Sequence, residues 1–218
     1  MTMRNFWLLG ILLLSVLVYA ETKTEYRTES DGFEWYQLRT DDGKYGAEDK
    51  NHKVLIKPQY DHVFYSSLSK GFYVRQNRYV GYYESDGKCV IPLSRKYRGD
   101  LCKLTMNDDV GKEYAYFTIS TPKYSIICDA KGEEVLRTMR FQSVYPEFAE
   151  GKFFYQIQDI FDKYGILDGE GELVVPLEYC HSIYIWDDSL RTRDCFTDES
   201  ISIAPLSSVT TMKNLLKH

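Results

Sequence analysis

Short hydrophobic runs alternate with polar turns along most of the chain. In the most regular form, an aromatic residue and a glycine begin one run, a polar turn follows, and an aliphatic run ends near proline. Copies of this pattern lie at 44–58, 79–92, 124–137 and 163–176. The third copy is degenerate, with Ile126 at the glycine position and Arg137 at the proline position. Because no long apolar stripe has helical period, the pattern predicts β-hairpins.

A further hydrophobic run precedes each hairpin, at 33–38, 71–74, 114–117 and 151–157. Each copy is therefore expected to be a three-stranded antiparallel meander, and segments such as 58–63 are expected to link successive copies. We predict an all-β fold in which about four such repeats form a curled tandem array. A four-bladed, propeller-like closure is the alternative architecture, since repeats of this length also suit blades.

Two features of the repeat predict how it packs. A glycine inside a strand, as at Gly46 and Gly165, weakens pairing unless something approaches the backbone closely, and we expect a neighbouring aromatic ring there. The proline is expected to end its strand, because it has no N–H for the ladder. The aliphatic positions expected to form the core are Leu55, Val90, Val135 and Val174.

Composition supports β structure and excludes several classes of protein. Hydrophobic residues make up 44% and charged residues 27% of the 218 residues, which excludes an intrinsically disordered chain. Beyond residue 20 the chain has 18 Tyr against 14 Leu, a balance that favours strands over helices. The net charge of −5 provides no broad basic surface for nucleic acid or for an anionic membrane.

The first twenty residues have the features of a secretory signal peptide. Arg4 precedes an apolar run over 6–20, and Val18-Tyr19-Ala20 forms a cleavage site before Glu21. We therefore expect a secreted or periplasmic protein with no integral membrane segment after cleavage. The predicted organisation is a signal peptide at 1–20, an N-terminal linker at 21–32, β repeats at 33–186, and a C-terminal tail at 187–218 with a possible short helix.

The repeat resembles the WG-repeat (KWG-repeat) family of bacterial β proteins. The resemblance is carried by Tyr45-Gly46, by 53–61 (KVLIKPQYD) and by 148–151 (FAEG), and it covers about residues 33–185. Tyr or Val replaces the family tryptophan, and His52 stands at a turn glycine position. The resemblance implies an exported or envelope-associated repeat protein that serves as a binding scaffold.

Motifs for catalysis, metal binding or cofactor binding are absent from the sequence, so we predict no enzyme activity, no metal and no cofactor. Two groups of residues have side chains of the kind that such sites use. Glu178-Tyr179-Cys180-His181 combines a thiol, an imidazole and a carboxylate. Adjacent residues on a strand point to opposite faces, however, so Cys180 would need a distant partner. The acidic turn Asp168, Glu170 and Glu172 could bind a cation, but it lacks EF-hand spacing.

The leading functional hypothesis is a non-catalytic scaffold for protein–protein interaction at the cell envelope. Its expected binding residues are Tyr82 or Tyr83, one of which should face outward, together with Arg95, Lys96 and Arg98 in the insertion 94–112. The alternatives are a glycan-binding module that uses exposed aromatic residues and a hydrolase that uses Cys/His or carboxylate groups. The partner is accordingly expected to be a protein or a glycan, and not a nucleic acid.

Processing of the signal peptide can be tested directly. Expressed in a host with a general secretion pathway, the exported protein should begin at Glu21, and intact-mass measurement will show this. Retention of residues 1–20 in the exported protein would contradict the prediction.

Overall fold

The computed structural model describes residues 23–107, 111–149, 152–186 and 189–205. These contain nineteen β-strands and no helix: β1 Lys23–Thr28, β2 Glu34–Arg39, β3 Tyr45–Asp49, β4 Val54–Tyr60, β5 His62–Ser66, β6 Gly71–Gln76, β7 Tyr79–Glu84, β8 Cys89–Ile91, β9 Asp100–Asn107, β10 Glu113–Ser120, β11 Tyr124–Asp129, β12 Glu134–Met139, β13 Ser143–Ala149, β14 Lys152–Gln158, β15 Tyr164–Asp168, β16 Leu173–Tyr179, β17 Tyr184–Trp186, β18 Ser189–Arg193 and β19 Ser200–Pro205. The predicted signal peptide and the predicted C-terminal helix lie outside the described residues.

The strands form five antiparallel sheets in chain order, and within each sheet the strands are sequence neighbours. The first to fourth sheets are β1–β4, β5–β8, β9–β12 and β13–β16, and the fifth is β17–β19. The chain divides after Leu93 into two compact units, the first containing the first two sheets and the second containing the other three. The predicted all-β class of antiparallel meander repeats is confirmed.

Each of the first four meanders has four strands rather than the predicted three. The expected linker 58–63 belongs to the ladder, because β4 continues to Tyr60 and β5 begins at His62. Pro58 does not end β4, because β4 is an edge strand, where a missing N–H leaves no neighbouring strand unpaired. Pro146 and Pro176 likewise lie within edge strands, β13 and β16.

Three segments without a hydrophobic repeat pattern also form strands. The expected linker 21–32 contains β1, and the expected loose tail contains β18 and β19. The insertion 94–112, for which no strand was predicted, supplies β9, which pairs with β10 from Asp100↔Ser120 to Asn107↔Glu113. Every residue of β1 and β9 is exposed or half-buried. These strands are therefore defined by backbone pairing rather than by burial of apolar side chains.

The same cross-strand pair forms the core of each repeat. It joins Ala47 to Ile56, Tyr82 to Ile91, Ile127 to Leu136, and Ile166 to Val175, and all eight residues are buried. Of the four predicted core positions, Val90 and Val174 are buried. Leu55 is only half-buried and Val135 is 49% exposed, so those two predictions were wrong. At both positions the next residue, Ile56 or Leu136, faces the core instead, because adjacent residues on a strand project from opposite faces.

The strand glycine of the first, second and fourth sheets lies against backbone, not against an aromatic ring as predicted. A Cβ built on Gly46 would lie 2.5 Å from the carbonyl oxygen of Ile56, and one on Gly165 would lie 2.7 Å from that of Val175. The pairing register shifts at both glycines, so the closing strand bulges towards the bare Cα. A close approach was therefore correctly predicted, but its partner is a carbonyl group.

The third sheet shows what happens without that glycine. Ile126 pairs with Arg137 and Ile127 with Leu136 in consecutive register, and the ladder is regular at this point. Ile126 is fully buried. A side chain is accommodated here because the closing strand lacks the bulge that would place a carbonyl against it.

The glycine contact predicts a large difference between two valine substitutions in the fourth sheet. Gly165→Val should lower the free energy of unfolding by more than about 2 kcal/mol, because its Cβ would overlap the carbonyl of Val175. Glu172→Val, at an exposed position after the turn, should change it by about 0.5 kcal/mol or less. Urea unfolding of both variants tests this, and equal midpoints would contradict it.

Candidate binding groove

An apolar groove of about 470 Å³ lies between the third and fourth sheets, within the second unit. Its wall from the third sheet is formed mainly by β10 and by the β11–β12 hairpin, and its wall from the fourth sheet by β13 and β14. The hydrophobic lining residues are Met106, Tyr114, Ala115, Tyr116, Ile127, Cys128, Ala130, Val135, Pro146, Phe153 and Tyr155.

Strand geometry explains why aromatic rings line both walls. Residues two apart on a strand project from the same face. Tyr114 and Tyr116 are so related on β10, and Phe153 and Tyr155 on β14. The Tyr114 and Phe153 rings meet edge to face, with their centroids 6.1 Å apart. Two alternating aromatic pairs therefore face each other across the groove.

The depth of the groove is continuous with the hydrophobic core, whereas its mouth is open. Ile127 and Tyr155 belong to the cluster that packs the third sheet against the fourth. At the mouth, Val135 is 49% exposed and Phe153 is 39% exposed. An incoming apolar group would thus displace water from Val135 and Phe153 without opening the core.

Burial controls the ionisation of the polar groups around the groove. It raises the pKa of Tyr116 to about 12 and that of the Cys128 thiol to about 11, and it also raises the pKa of the Glu147 carboxyl. Tyr116 and Cys128 are therefore neutral at physiological pH. These shifts all reflect a site in which charged forms are poorly solvated.

Charged side chains at the groove are few. The lining includes Glu113, Asp129 and Lys131. One carboxylate oxygen of Asp129 accepts hydrogen bonds from the backbone N–H groups of Lys131 and Glu133, both at 2.9 Å. That carboxylate therefore stabilises the β11–β12 turn, and the groove favours an apolar ligand over a charged one.

The two tyrosines predicted to bind a partner have different environments. Tyr82 is fully buried, and its hydroxyl donates a hydrogen bond to the carbonyl oxygen of Ser69 at 2.6 Å. Tyr83 is half-buried, and its hydroxyl lies 2.6 Å from that of Tyr60. Burial raises the pKa of both residues. Tyr82 is thus a core residue, which corrects its inclusion among the candidate contacts, and Tyr83 stays a prediction.

The predicted basic residues Arg95, Lys96 and Arg98 are exposed, whereas Tyr97 between them is buried. They belong to the second unit and precede β9, while Tyr82 and Tyr83 belong to the first unit. The pKa of the Glu134 carboxyl is lowered mainly by its hydrogen bond from Arg137, and Lys96 adds a smaller electrostatic effect in the same direction. Their role in binding stays a prediction.

The cysteine-nucleophile and cation-site hypotheses both depend on residues that have structural roles in this fold. Cys180 forms a disulfide with Cys195, so its sulfur is not available as a nucleophile, and that hypothesis was wrong. Asp168, from the acidic turn, accepts the backbone N–H groups of Glu170 and Glu172 and so stabilises a hairpin turn. Within the described ranges, no three His, Cys, Asp or Glu side chains form a group that could hold a metal ion.

The groove is not predictable from the sequence. Tyr114 and Phe153 lie on predicted strands, but nothing in the sequence shows that these two strands face each other. Val135 has the same hydrophobic character as the equivalent residues Val90 and Val174, but in this repeat only its neighbour Leu136 faces the core. Alternating aromatic residues in two neighbouring repeats were the available signal.

Comparison with protein families gives one match. The family described as the WG-containing repeat matches residues 45–74, which run from β3 into β6. The resemblance to WG repeats is confirmed there, and one repeat unit spans the end of the first sheet and the start of the second. No curated protein matches the chain.

Several solved structures are weakly similar to this chain. BBS1N in complex with ARL6DN shares 11% identity over 85% of this chain and 63% of that chain, with a TM-score of 0.38. The Pan2 WD40 domain of Neurospora crassa shares 15% identity over 85% and 61%, with a TM-score of 0.31. The WD40 domain of SCAP from fission yeast shares 7% over 87% and 57%, with a TM-score of 0.32. This chain spans less than two thirds of their lengths.

Across the described ranges, no helix has the length and apolar character needed to cross a bilayer.

Alkylation of the cysteines tests the Cys180–Cys195 disulfide and the burial of Cys128. Cys89 and Cys102 are exposed, whereas Cys128 is buried. Burial raises the pKa of all three thiols, that of Cys128 to about 11. Iodoacetamide at pH 8 should therefore label Cys89 and Cys102 in the native protein, label Cys128 only after unfolding, and label Cys180 and Cys195 only after reduction. Peptide mass mapping reads out each site, and alkylation of Cys180 without a reductant would contradict the assignment.

Proposed function

We propose that this chain, which carries a WG-containing repeat at residues 45–74, is an exported, non-catalytic scaffold that binds a protein partner. The partner inserts an apolar side chain of an extended segment into the groove between the third and fourth sheets. The single observation that supports this most strongly is the groove itself, open at Val135 and Phe153 and continuous below with the core.

The chemistry of the groove favours a protein over a small polar ligand. Aromatic residues dominate binding energetics where their surfaces become fully desolvated. Tyr114, Tyr116, Tyr155 and Phe153 can provide such surfaces to an aliphatic or aromatic side chain. The carboxylate of Asp129 already accepts a hydrogen bond from the backbone of its own turn. A glycan would need several free polar groups directed into the groove, so glycan binding is the less favoured alternative.

Export to the periplasm or the cell exterior is the second part of the proposal. The sequence of residues 1–20 motivates it, and the Cys180–Cys195 disulfide supports it, because such bonds persist in oxidising compartments. A location at the cell envelope is then consistent with an interaction scaffold.

Two aspartate variants with matched exposure test the groove. Val135 and Val54 are 49% and 48% exposed, respectively, and both lie on the closing strand of a meander, but only Val135 lines the groove. A phage-displayed peptide library is selected on the purified wild-type chain, and the enriched peptides are measured against each variant. We expect Val135→Asp to weaken their binding by about tenfold or more and Val54→Asp to leave it unchanged.

Two results would overturn the proposal. One is that the enriched peptides bind both variants as tightly as wild type. The other is that no peptide is enriched while immobilised glycans on an array are retained by wild type and lost by Val135→Asp, which would assign the groove to carbohydrate.

A further inference from the structure

Two hairpin turns of the second unit carry exposed phenylalanines whose backbone N–H groups donate to an aspartate of the same turn. Phe161 is 76% exposed, and its backbone N–H donates to Asp159 Oδ1 at 2.8 Å. Phe196 is 97% exposed, and its N–H donates to Asp194 Oδ1 at 2.9 Å. In three other turns of the chain, the residue two after the corresponding aspartate is polar: Asn51, Lys131 or Glu170. The turn geometry therefore does not require an aromatic residue.

Chain connectivity brings the third and fourth sheets together at the end that carries Phe161. Tyr124 pairs with Met139 at the end of the third sheet, and these residues are 44% and 66% exposed. Only residues 140–142 separate β12 from β13, whose first residue, Ser143, pairs with Gln158 just before the Phe161 turn.

The disulfide brings the fifth sheet to the same end. Just after the Phe161 turn, Tyr164 pairs with Tyr179, the last residue of β16. Cys180 follows and is bonded to Cys195, which directly precedes Phe196. One end of the second unit therefore carries five exposed hydrophobic side chains, here called the apolar end: Tyr124, Met139, Ile160, Phe161 and Phe196.

Charges flank the apolar end asymmetrically. On the third sheet, Lys123 and Arg140 are exposed, while Arg137 is paired with Glu134. On the fourth and fifth sheets the flanking groups are predominantly acidic: Asp159, Asp162, Asp194, Asp198 and Glu199, against Lys163 and Arg193. Two of these, Arg193 and Asp198, form an ion pair of 2.9 Å. Asp100, which pairs with Ser120, is also exposed at this end of the third sheet, so the third-sheet side has two exposed cations against one carboxylate, whereas the opposite side is predominantly acidic.

We propose that the apolar end is the interface of a two-fold homodimer. A two-fold rotation placed near Phe161 brings the third-sheet side of one copy opposite the acidic side of the other, while the apolar side chains cover one another. Such self-complementarity is what an interface made from the same surface of both subunits requires. A mainly acidic flank also disfavours docking on an anionic membrane. The inference is independent of the groove and of the proposed function.

Sedimentation velocity of the purified chain over a range of concentrations tests the dimer. Wild type should show a concentration-dependent monomer–dimer equilibrium. Phe161→Ser combined with Phe196→Ser should raise the dimer dissociation constant by at least about tenfold. Leu68→Ser is the matched control, because Leu68 is 99% exposed but lies on a turn of the first unit, and it should leave the constant unchanged. Circular dichroism and thermal melting verify that each variant folds.

Charge reversal tests the two-fold arrangement. Lys123→Glu and Glu199→Lys should each weaken the dimer, because each places like charges opposite one another, and the double variant should recover part of the loss. A wild-type chain that stays monomeric at all concentrations would overturn the proposal. So would a dimer insensitive to the phenylalanine changes, or wild-type monomers that bind phosphatidylcholine vesicles through Phe161 and Phe196.

Discussion

The contact between a glycine Cα and a carbonyl oxygen of the closing strand is the constraint on which the repeat depends. At Gly46, Gly81 and Gly165, that oxygen lies 2.5–2.7 Å from where a Cβ would stand. The missing side chain lets the closing strand move inward at the contact. The proline that follows lies on the edge strand of its sheet or directly after it, where the ladder does not need its N–H. In the first sheet this strand then runs on to Tyr60, two residues before the next sheet begins.

The sequence was sufficient for the class of fold, because alternation, turns and the recurring glycine all depend on local geometry. It was insufficient where pairing is made by backbone alone. β1 and β9 expose or half-expose their side chains, so no hydrophobic pattern marked them. It also failed at Val135, where the next residue, Leu136, faces the core instead. The groove was missed because the facing of two sheets is a tertiary property, and the Cys180 disulfide because pairing among five cysteines is not encoded in their spacing.

The residues of the candidate binding surfaces lie where a repeat differs from the pattern that the other repeats share. The third sheet has lost the glycine and the proline and has a regular ladder at Ile126, and its Val135 is left at the mouth of the groove. The turns with Phe161 and Phe196 keep the aspartate that stabilises the other turns but replace the polar tip residue. Substitutions at such positions leave the backbone contacts intact, so a repeat scaffold can acquire binding surfaces without losing its fold.

The most direct test of the glycine contact is the unfolding free energy of Gly46→Ala, measured by urea denaturation. The substitution adds one methyl group, and its Cβ would lie 2.5 Å from the carbonyl oxygen of Ile56. The account predicts a loss of more than about 1 kcal/mol. In a strand without such a contact, the same change stabilises a protein by about 0.4–1 kcal/mol through the unfolded state. An unchanged or increased stability of Gly46→Ala would therefore contradict the account.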